Sequence, residues 1–178
     1  ESSSGGVCKT LIIDSLKNGM VDGAYSLKCT DSFPFAQGEF YTREHIPSFG
    51  DMPNSVYHSV MACTEIDRIQ PCKRLMLVGT ACQLRALNSI IKDKCDEVVR
   101  VCIFCKQQKT LDSTRFLAKM MGTSVPPNLK FRPRYRGDGW PGIVRVDGFE
   151  LPWNRAAQIP FGKRLWTVPG CDICGDSF

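Results

Sequence analysis

The sequence predicts an α/β fold in which helices flank a mixed sheet. The main observation is a strand–helix–strand succession: the apolar run 74–79, the amphipathic segment 81–94 and the β-branched run 97–105 follow one another. Such a βαβ unit predicts two parallel strands joined by a right-handed crossover. The second observation is size, because 178 residues, 43% of them hydrophobic, suffice for a domain with its own core. We therefore treat residues 1–178 as a single domain.

The part of the chain before this unit predicts two helices and a strand. Residues 7–17 form the first helix because five positions share one helical face: Val7, Leu11, Ile12, Ser15 and Leu16. A short strand is expected over 23–29. Segment 30–53 is rich in Pro, Gly and Phe and is expected to be extended and mostly irregular. Asn54 is expected to cap a helix over 54–68.

The part after the unit predicts a helix, a β-hairpin-like segment and an irregular tail. Helical periodicity covers 110–121, and two strand-like runs, 129–136 and 143–149, flank a glycine-rich turn. From Pro152 onward we expect an irregular tail, apart from a turn of helix near 154–158. In the helix of the βαβ unit, four side chains are expected to face inward: Leu84, Leu87, Ile90 and Ile91.

The composition predicts a cytoplasmic protein without a membrane span. No run approaches the ~18 apolar residues of a membrane helix, and no signal peptide is visible. The chain has ten cysteines, but its length and its strand–helix alternation favour reduced thiols over a disulfide framework. The net charge of +5 suits a solvated basic surface, an acidic partner such as a ferredoxin, or a phosphate-bearing cofactor.

Four cysteines lie where chain segments bend or end. Cys82 is in the first turn of the helix after the first strand of the βαβ unit, and Cys105 ends the second strand. Parallel strands gather ligands beyond their carboxyl ends, so these two thiols are expected to be neighbours. Cys171 and Cys174 form a CxxC pair in a loop. Strand alternation directs Cys102 to the opposite face from Cys105.

Thiolates from separate segments can hold an iron–sulfur cluster or a structural zinc ion. Spacing alone leaves both open, together with unrelated buried thiols. The only histidines, His45 and His58, lie in no arrangement typical of a catalytic triad, so hydrolysis is poorly supported. Any catalysis is therefore expected to depend on a cofactor.

Three further segments have polar groups that suit phosphate or a partner. Ser2–Gly6, before the first helix, predicts a pyrophosphate site or a flexible linker. Arg132, Arg134 and Arg136 alternate along a strand and suit nucleic acid, cofactor phosphates or plain solvent. Segment 106–109, with a lysine at each end, suits a cofactor, an acidic carrier or a solvated helix start.

Several short motifs occur in a fixed order along nearly the whole chain. They are Ser3-Ser4-Gly5-Gly6, Asn18-Gly19, Asp22-Gly23, Gly79-Thr80-Ala81-Cys82-Gln83, Phe104-Cys105, Arg136-Gly137-Asp138-Gly139-Trp140-Pro141-Gly142 and Cys171-x-x-Cys174-x-Asp176. Each motif is weak alone, but the ordered set resembles the coenzyme F420 hydrogenase/dehydrogenase beta-subunit family. Members of this family continue past the last CxxC, so the resemblance implies that the present chain is truncated at its C-terminus.

The resemblance implies an iron–sulfur flavoprotein in which FAD exchanges a hydride and a [4Fe-4S] cluster passes single electrons. The implied cluster ligands are Cys82, Cys105, Cys171 and Cys174. The implied cofactor-binding residues are Ser3, Ser4, Gly5, Gly6, Thr10, Thr80 and Gln83. The implied partners are redox subunits of the hydrogenase, dehydrogenase or ferredoxin-like kind. Coenzyme F420 is the family substrate, but Lys106 follows Cys105 where F420-using members commonly have an acidic residue nearby, which leaves other hydride donors open.

Two functions of other classes compete with this interpretation. One is a zinc-stabilised four-cysteine module that binds nucleic acid through the arginine strand. The other is a thiol–disulfide enzyme that uses Cys171 and Cys174, although this CxxC lacks the usual placement between a strand and a helix. An ultraviolet–visible spectrum separates the zinc module from the flavoprotein, because a flavin and a cluster absorb visible light and zinc does not.

Overall fold

The computed structural model describes residues 5–32, 34–56, 58–123, 134–137, 142–146 and 149–175. The strands in this part of the chain are β1 (Gly23–Cys29), β2 (Ala36–Thr42), β3 (Cys72–Thr80), β4 (Cys95–Ile103), β5 (Arg134–Gly137), β6 (Ile143–Val146) and β7 (Phe149–Pro152). The helices are α1 (Gly6–Lys17), α2 (Ala81–Ile91), α3 (Leu111–Met120) and α4 (Trp153–Gln158). The predicted α/β class with a mixed sheet is confirmed.

The main sheet has the order β2-β1-β3-β4. Strands β1, β3 and β4 run parallel, and β2 pairs antiparallel with β1 at the edge. The predicted βαβ unit is confirmed as β3–α2–β4, in register from Cys72 opposite Cys95 to Thr80 opposite Ile103. The carboxyl ends of β3 and β4 therefore lie side by side, where ligands collect in sheets of this type.

Helices α1 and α2 cover opposite faces of this sheet because β3 is buried on both sides. Met76 and Val78 pack with Ile12 and Leu16 of α1. The alternate residues Leu75 and Leu77 pack with three residues of α2: Leu84, Leu87 and Ile91. A strand that is apolar on both faces is typical of a central position in a parallel sheet.

The predicted helix over 54–68 is wrong. Among its described residues only Ile66–Arg68 are helical, as a single 3-10 turn, and the rest of this part is a loop. Its carbonyl oxygens are used by the core, since the buried Tyr25 hydroxyl donates to Ala62 O over 2.9 Å and also contacts Thr64 O. The segment 30–53, expected to be irregular, contains β2, which completes its backbone hydrogen bonds by pairing with β1.

In α1 and α2, some side chains that were predicted to face inward are exposed. In α1, Val7 is 75% exposed and Leu11 is 42% exposed, whereas Lys9 is buried. In α2, Ile90 is 50% exposed, and the helix ends at Ile91 rather than at residue 94. The sheet covers only part of the apolar face of each helix, so some apolar side chains of both helices remain at the surface.

The second sheet is antiparallel, with the order β5-β6-β7, and carries α4 directly after β7. The tail is therefore more regular than expected, although the helical turn near 154–158 is confirmed. The predicted strand 129–136 lies partly outside the described residues. Val144, Trp153 and Leu117 form a separate apolar core with Phe35. No helix among the described residues is both long and apolar enough to cross a membrane.

Candidate functional site

A cavity of 1090 Å³ opens at the carboxyl ends of β3 and β4. Its lining includes Gly5 and Lys9 from the start of α1, Thr80 from the end of β3 and Cys105 from the segment after β4. Arg155 of α4 contributes from the opposite side. This volume is slightly above the range of about 300–1,000 Å³ for small-molecule and cofactor sites, so the cavity has room for a large ligand.

Cys82 is positioned by the turn from β3 into α2. The Gln83 side chain accepts hydrogen bonds from the Thr80 backbone N–H over 2.9 Å and from the Thr80 hydroxyl over 3.0 Å. This arrangement caps the helix and fixes its first turn. The Thr80 hydroxyl also lies 3.3 Å from Cys82 Sγ, which is exposed. Thr80 and Gln83, predicted to bind a cofactor, thus line the cavity and also hold the candidate ligand in place.

The CxxC loop is held against the segment that follows Cys105. The Thr110 N–H donates to Trp166 O over 2.7 Å, and the Val168 N–H donates to Gln108 O over 2.9 Å. The Gln108 N–H in turn lies 3.4 Å from Cys171 Sγ. Two segments about sixty positions apart therefore pair like a short ribbon, which brings Cys171 next to the chain that carries Cys105.

Lys109 stabilises this ribbon through side-chain hydrogen bonds. Its side chain is fully buried, and its ammonium donates to Thr167 Oγ1 over 2.8 Å, to Leu165 O over 3.1 Å and to Gln107 Oε1 over 3.1 Å. Burial lowers the pKa of Lys109, and the nearby Arg164 lowers it further. The expectation of an exposed, partner-facing lysine fails here, while Lys106 is exposed and lines the cavity.

The four predicted ligand sulfurs share one neighbourhood. Burial raises the pKa of the Cys105 thiol, and the negative charges of three other thiolates raise it further: those of Cys171, Cys82 and Cys174. A backbone hydrogen bond from Gln107 acts in the opposite sense. These three cysteines are therefore near enough to Cys105 to influence its pKa.

The described residues do not form a metal-ion site. Among the described residues, no group of three or more His, Cys, Asp or Glu side chains has the arrangement of a metal-ion site. Strand β4 ends at Ile103, so strand alternation does not extend to Cys105. Cys102 is nonetheless exposed, and it is not among the groups whose charges raise the pKa of Cys105.

The predicted pyrophosphate segment is described only from Gly5 onward; Ser3 and Ser4 lie outside the described residues. Gly5 precedes α1 with a φ of 81°, and a Cβ built on it would lie 3.2 Å from Asn54 Cα. Glycine is therefore required both by the backbone conformation and by the close approach of the 54–55 backbone. Gly6 begins the helix, whereas Thr10 is exposed and does not line the cavity.

Lys9 is a site residue that sequence reasoning missed. Its ammonium lies in the cavity lining, donates to Asn54 Oδ1 over 2.8 Å and to Phe49 O over 3.2 Å, and sits over the Phe49 ring. The signal was its spacing, since Lys9 lies three positions before Ile12 and seven before Leu16, on the face that α1 buries. A lysine on the apolar stripe of a helix indicates a buried cation with a dedicated role.

His58 is a second residue that the sequence did not assign. It is 1% exposed, its Nε2 lies 2.9 Å from Pro34 O, and its Nδ1 lies 3.0 Å from Thr114 Oγ1. Burial lowers its pKa, so the imidazole is neutral near pH 7. We assign the proton to Nε2, which donates to the carbonyl, and the Thr114 hydroxyl then donates to Nδ1. His58 lines the cavity and is hydrogen-bonded to Thr114 of α3.

The arginine strand is only partly described. Arg132 lies outside the described residues, and Arg134 and Arg136 are in β5, where only the backbone is described. The nucleic-acid alternative therefore stays a prediction.

The donor groups fit a cluster and a phosphate-bearing cofactor. Four thiols from three segments supply the ligand type that iron–sulfur clusters use, and backbone N–H groups of Gln107 and Gln108 lie against two of the sulfurs. At the other end of the cavity, the start of α1 offers N–H groups without intrahelical partners, and Lys9 adds a positive charge.

The fold is shared with a solved structure. A chain in the xenon-derivatized structure of the F420-reducing [NiFe] hydrogenase complex from Methanosarcina barkeri superposes on this protein with a TM-score of 0.66 at 16% sequence identity. The match covers 99% of this chain and 61% of the hydrogenase chain, so the protein spans less than two thirds of that chain's length. No protein-family model and no curated protein matches the sequence. At this identity the likeness shows the fold alone.

Proposed function

We propose that this chain is an electron-transfer oxidoreductase subunit that binds FAD and one [4Fe-4S] cluster. It exchanges a hydride, with coenzyme F420 or another donor, for single electrons that pass to partner redox proteins. The observation that carries the proposal is the contact of the CxxC loop with the segment after Cys105, where the Gln108 N–H lies 3.4 Å from Cys171 Sγ, at a cavity that Cys105 and the start of α1 both line. The proposed cluster and the proposed phosphate site would therefore share one cavity.

Zinc and an iron–sulfur cluster place different demands on the four thiols. A structural zinc ion needs four sulfurs about 2.3 Å from one point, whereas in a [4Fe-4S] cluster each thiolate binds a different iron. We favour the cluster because the ordered motifs resemble an iron–sulfur flavoprotein family, and metal analysis separates the two.

The start of α1 is the proposed site of the FAD pyrophosphate. The N–H groups of its first turn and the helix dipole favour a negative charge. Lys9 is held in place by Asn54 and Phe49 and can direct a charge-assisted hydrogen bond at the phosphate. Ser3 and Ser4 precede this point in the sequence, and Thr10, on the exposed side of α1, remains the weakest of the predicted contacts.

When bound, FAD supplies hydride chemistry and the cluster supplies one-electron chemistry. The residues of this chain then bind, orient and shield the two groups. The Gln107 and Gln108 N–H groups donate to thiolate sulfurs and stabilise their negative charge. Trp153 and Phe161, whose ring centroids are 5.5 Å apart, line the cavity and exclude water from part of it.

The surface around the cysteines suits a redox partner. Phe104 is 79% exposed beside Cys105, and Ile173 is 89% exposed between Cys171 and Cys174. Exposed apolar residues next to candidate electron-transfer ligands favour a protein contact over bulk solvent. The similar hydrogenase chain belongs to a multi-subunit complex, which supports the same interpretation.

Anaerobic purification tests the proposal directly. We expect four irons and four acid-labile sulfides per chain, together with flavin, and visible absorption that bleaches on reduction with dithionite. One zinc ion per chain without visible absorption would contradict the proposal and favour the four-cysteine zinc module. Because this protein spans 61% of the similar chain, a longer version that includes any following segment is the matched control for flavin occupancy.

A further inference from the structure

A second pair of cysteines meets at the opposite end of the βαβ unit from the proposed cluster. Cys72 is the first residue of β3 and Cys95 is the first residue of β4, and the two are direct partners in the parallel register. Their Sγ atoms are 3.3 Å apart. Strand β3 has nine residues, so this pair lies roughly 26 Å along the sheet from the turn that carries Cys82.

The backbone already has the geometry of a cross-strand disulfide. Neighbouring strands lie about 4.8 Å apart, and disulfides join Cα atoms about 4.4–6.8 Å apart. The Cys72 N–H donates to Lys94 O over 3.2 Å, which fixes the start of β3 against the start of β4. Small side-chain rotations can then bring the sulfurs from contact to bonding distance without backbone movement.

We propose that Cys72 and Cys95 form an intramolecular disulfide by exchange with a small-molecule disulfide. One protein thiolate attacks a sulfur of the small disulfide, which forms a mixed disulfide and releases one small thiol. The second protein thiolate attacks the mixed disulfide at the protein sulfur and releases the second small thiol. Two protein thiols are oxidised, one small disulfide is reduced to two thiols, and each released thiolate takes up a proton that a protein thiol has lost.

The surroundings of the pair suit the second step of the exchange. Burial is the main cause that raises the pKa of Cys72 to about 12, followed by its contact with Cys95 and by the charges of Asp22 and Asp96. Because the two sulfurs are in contact, whichever thiol forms the mixed disulfide has the other beside it to complete the bond.

The disulfide closes the segment 72–95, which contains α2 and the helix start that holds Cys82. A closed loop of this length removes conformational freedom from the unfolded chain. If the entropic term is fully expressed, the thermal midpoint of the oxidised protein rises by roughly 7–14 °C. The disulfide therefore covalently constrains the βαβ unit that contains Cys82.

Peptide mapping tests the proposal, since trypsin places each cysteine in its own short peptide. Cleavage after Arg68 and Lys73 releases residues 69–73 with Cys72, and cleavage after Lys94 and Arg100 releases residues 95–100 with Cys95. The reduced protein is incubated with oxidised glutathione, its free thiols are blocked by alkylation, and it is digested. We expect the two peptides joined by a disulfide and a higher thermal midpoint than in the reduced protein.

Single variants supply the controls. Cys72→Ser and Cys95→Ser each keep one thiol of the pair and should form no link between the two peptides. Cys63→Ser, which changes an exposed cysteine elsewhere, should form the disulfide as the wild type does. Free 69–73 and 95–100 peptides from oxidised wild-type protein that keeps its circular dichroism spectrum would overturn the proposal, as would a link from either peptide to another cysteine. These results do not depend on whether FAD or a cluster binds.

Discussion

The ammonium of the fully buried Lys109 donates over 2.8 Å to the hydroxyl of the partly buried Thr167, 58 positions later in the chain. The Thr167 hydroxyl in turn donates to Arg164 O over 2.8 Å, so the lysine stabilises the turn that leads into the CxxC loop. Lys109 touches none of the proposed ligands through this contact. It is a positioning residue that fixes where Cys171 lies relative to Cys105.

Lys109→Met should loosen this ribbon while the main sheet stays intact. The substitution removes all three N–H donors, and Leu165 O is left without the lysine donor. We expect hydrogen exchange of the Thr110 and Val168 amides to become about tenfold faster, which corresponds to about 1.4 kcal/mol of local stability.

Lys106→Met is the matched control because Lys106 is exposed, and it should leave both exchange rates unchanged. Amides of β3 should be unaffected in both variants. If the Thr110 amide exchanged at the same rate in the wild type and in Lys109→Met, Lys109 would have no positioning role.

The four proposed cluster ligands should be sensitive to a change from sulfur to oxygen. Changing Cys82, Cys105, Cys171 or Cys174 to Ser leaves one iron without its thiolate, so each variant should lose most of its iron and sulfide. Iron and sulfide analysis after anaerobic purification is the measurement, with electron paramagnetic resonance of the reduced protein as a second readout.

Cys102→Ser is the control, because Cys102 has CxxC spacing to Cys105 but is exposed and contributes no charge there. It should keep its cluster. If Cys102→Ser lost the cluster while Cys105→Ser kept it, the ligand assignment would be wrong.

Local periodicity predicted the parts of the fold that local physics decides. The βαβ unit was predictable because β3 is continuously apolar and α2 alternates at helical spacing, and topology then placed Cys82 near Cys105. The proximity of Cys171 had no such local signal and was implied only by the family resemblance. It depends on the pairing of residues 108–110 with 166–168, a contact between distant segments.

The errors also have a common physical cause. The segment 54–68 has a capping residue, but the Tyr25 hydroxyl uses its carbonyl oxygens and the sheet holds it as a loop. Lys109 was expected at the surface because its neighbours are polar, yet the 164–168 segment covers it. In both places a tertiary contact outweighed the local preference.

Gly5 should be more sensitive to substitution than a glycine with the same backbone conformation in open space. Gly5 has a φ of 81° and faces the Asn54 backbone at 3.2 Å, whereas Gly122 has a φ of 77° with nothing within 4 Å. Gly122→Val should lose about 1–2 kcal/mol of unfolding free energy through backbone strain alone.

Gly5→Val should lose more than Gly122→Val, because a new side chain also meets the Asn54 backbone. It should bind FAD at least about tenfold more weakly, since the clash with the 54–55 backbone displaces the start of α1, the proposed phosphate site. Urea unfolding and a flavin titration give both values. Equal FAD affinity in the two variants would remove the start of α1 from the cofactor site.

His58 should make the protein less stable in acid. Burial lowers the pKa of His58 in the folded state, whereas an unfolded histidine takes up its proton near pH 6.5. Below about pH 6.5 the unfolded chain therefore binds more protons, and the unfolding free energy falls as pH falls, by at most about 1.4 kcal/mol per pH unit from this residue.

Replacing the histidine isolates its contribution. In His58→Gln, the difference in unfolding free energy between pH 7.5 and pH 5.5 should be smaller than in the wild type. His45→Gln, which changes an exposed histidine, should keep the wild-type difference. The reverse pattern would show that His58 does not carry the acid sensitivity.

Lys106 should influence electron exchange with an acidic protein carrier without affecting a small dye. Lys106 is exposed, lines the cavity and follows Cys105 directly, so its charge lies beside the proposed exit for electrons. Opposite charges speed protein association through long-range attraction, which salt screens over about 10 Å at 0.1 M. Reduction by a reduced ferredoxin should therefore slow as salt is added.

Lys106→Glu should slow that reaction further and weaken its salt dependence, because the substitution replaces attraction with repulsion. Reduction by an uncharged dye should keep its wild-type rate, which separates docking from damage to the cofactors. Stopped-flow measurement of both reactions at low and high salt gives the comparison.

Lys163→Glu is the matched control, since Lys163 is also exposed but does not line the cavity. Equal slowing by the two substitutions would indicate a general effect of net charge and would remove Lys106 as a specific docking residue. Saturable reduction by reduced F420 that is insensitive to Lys106→Glu would instead favour the deazaflavin as the hydride donor.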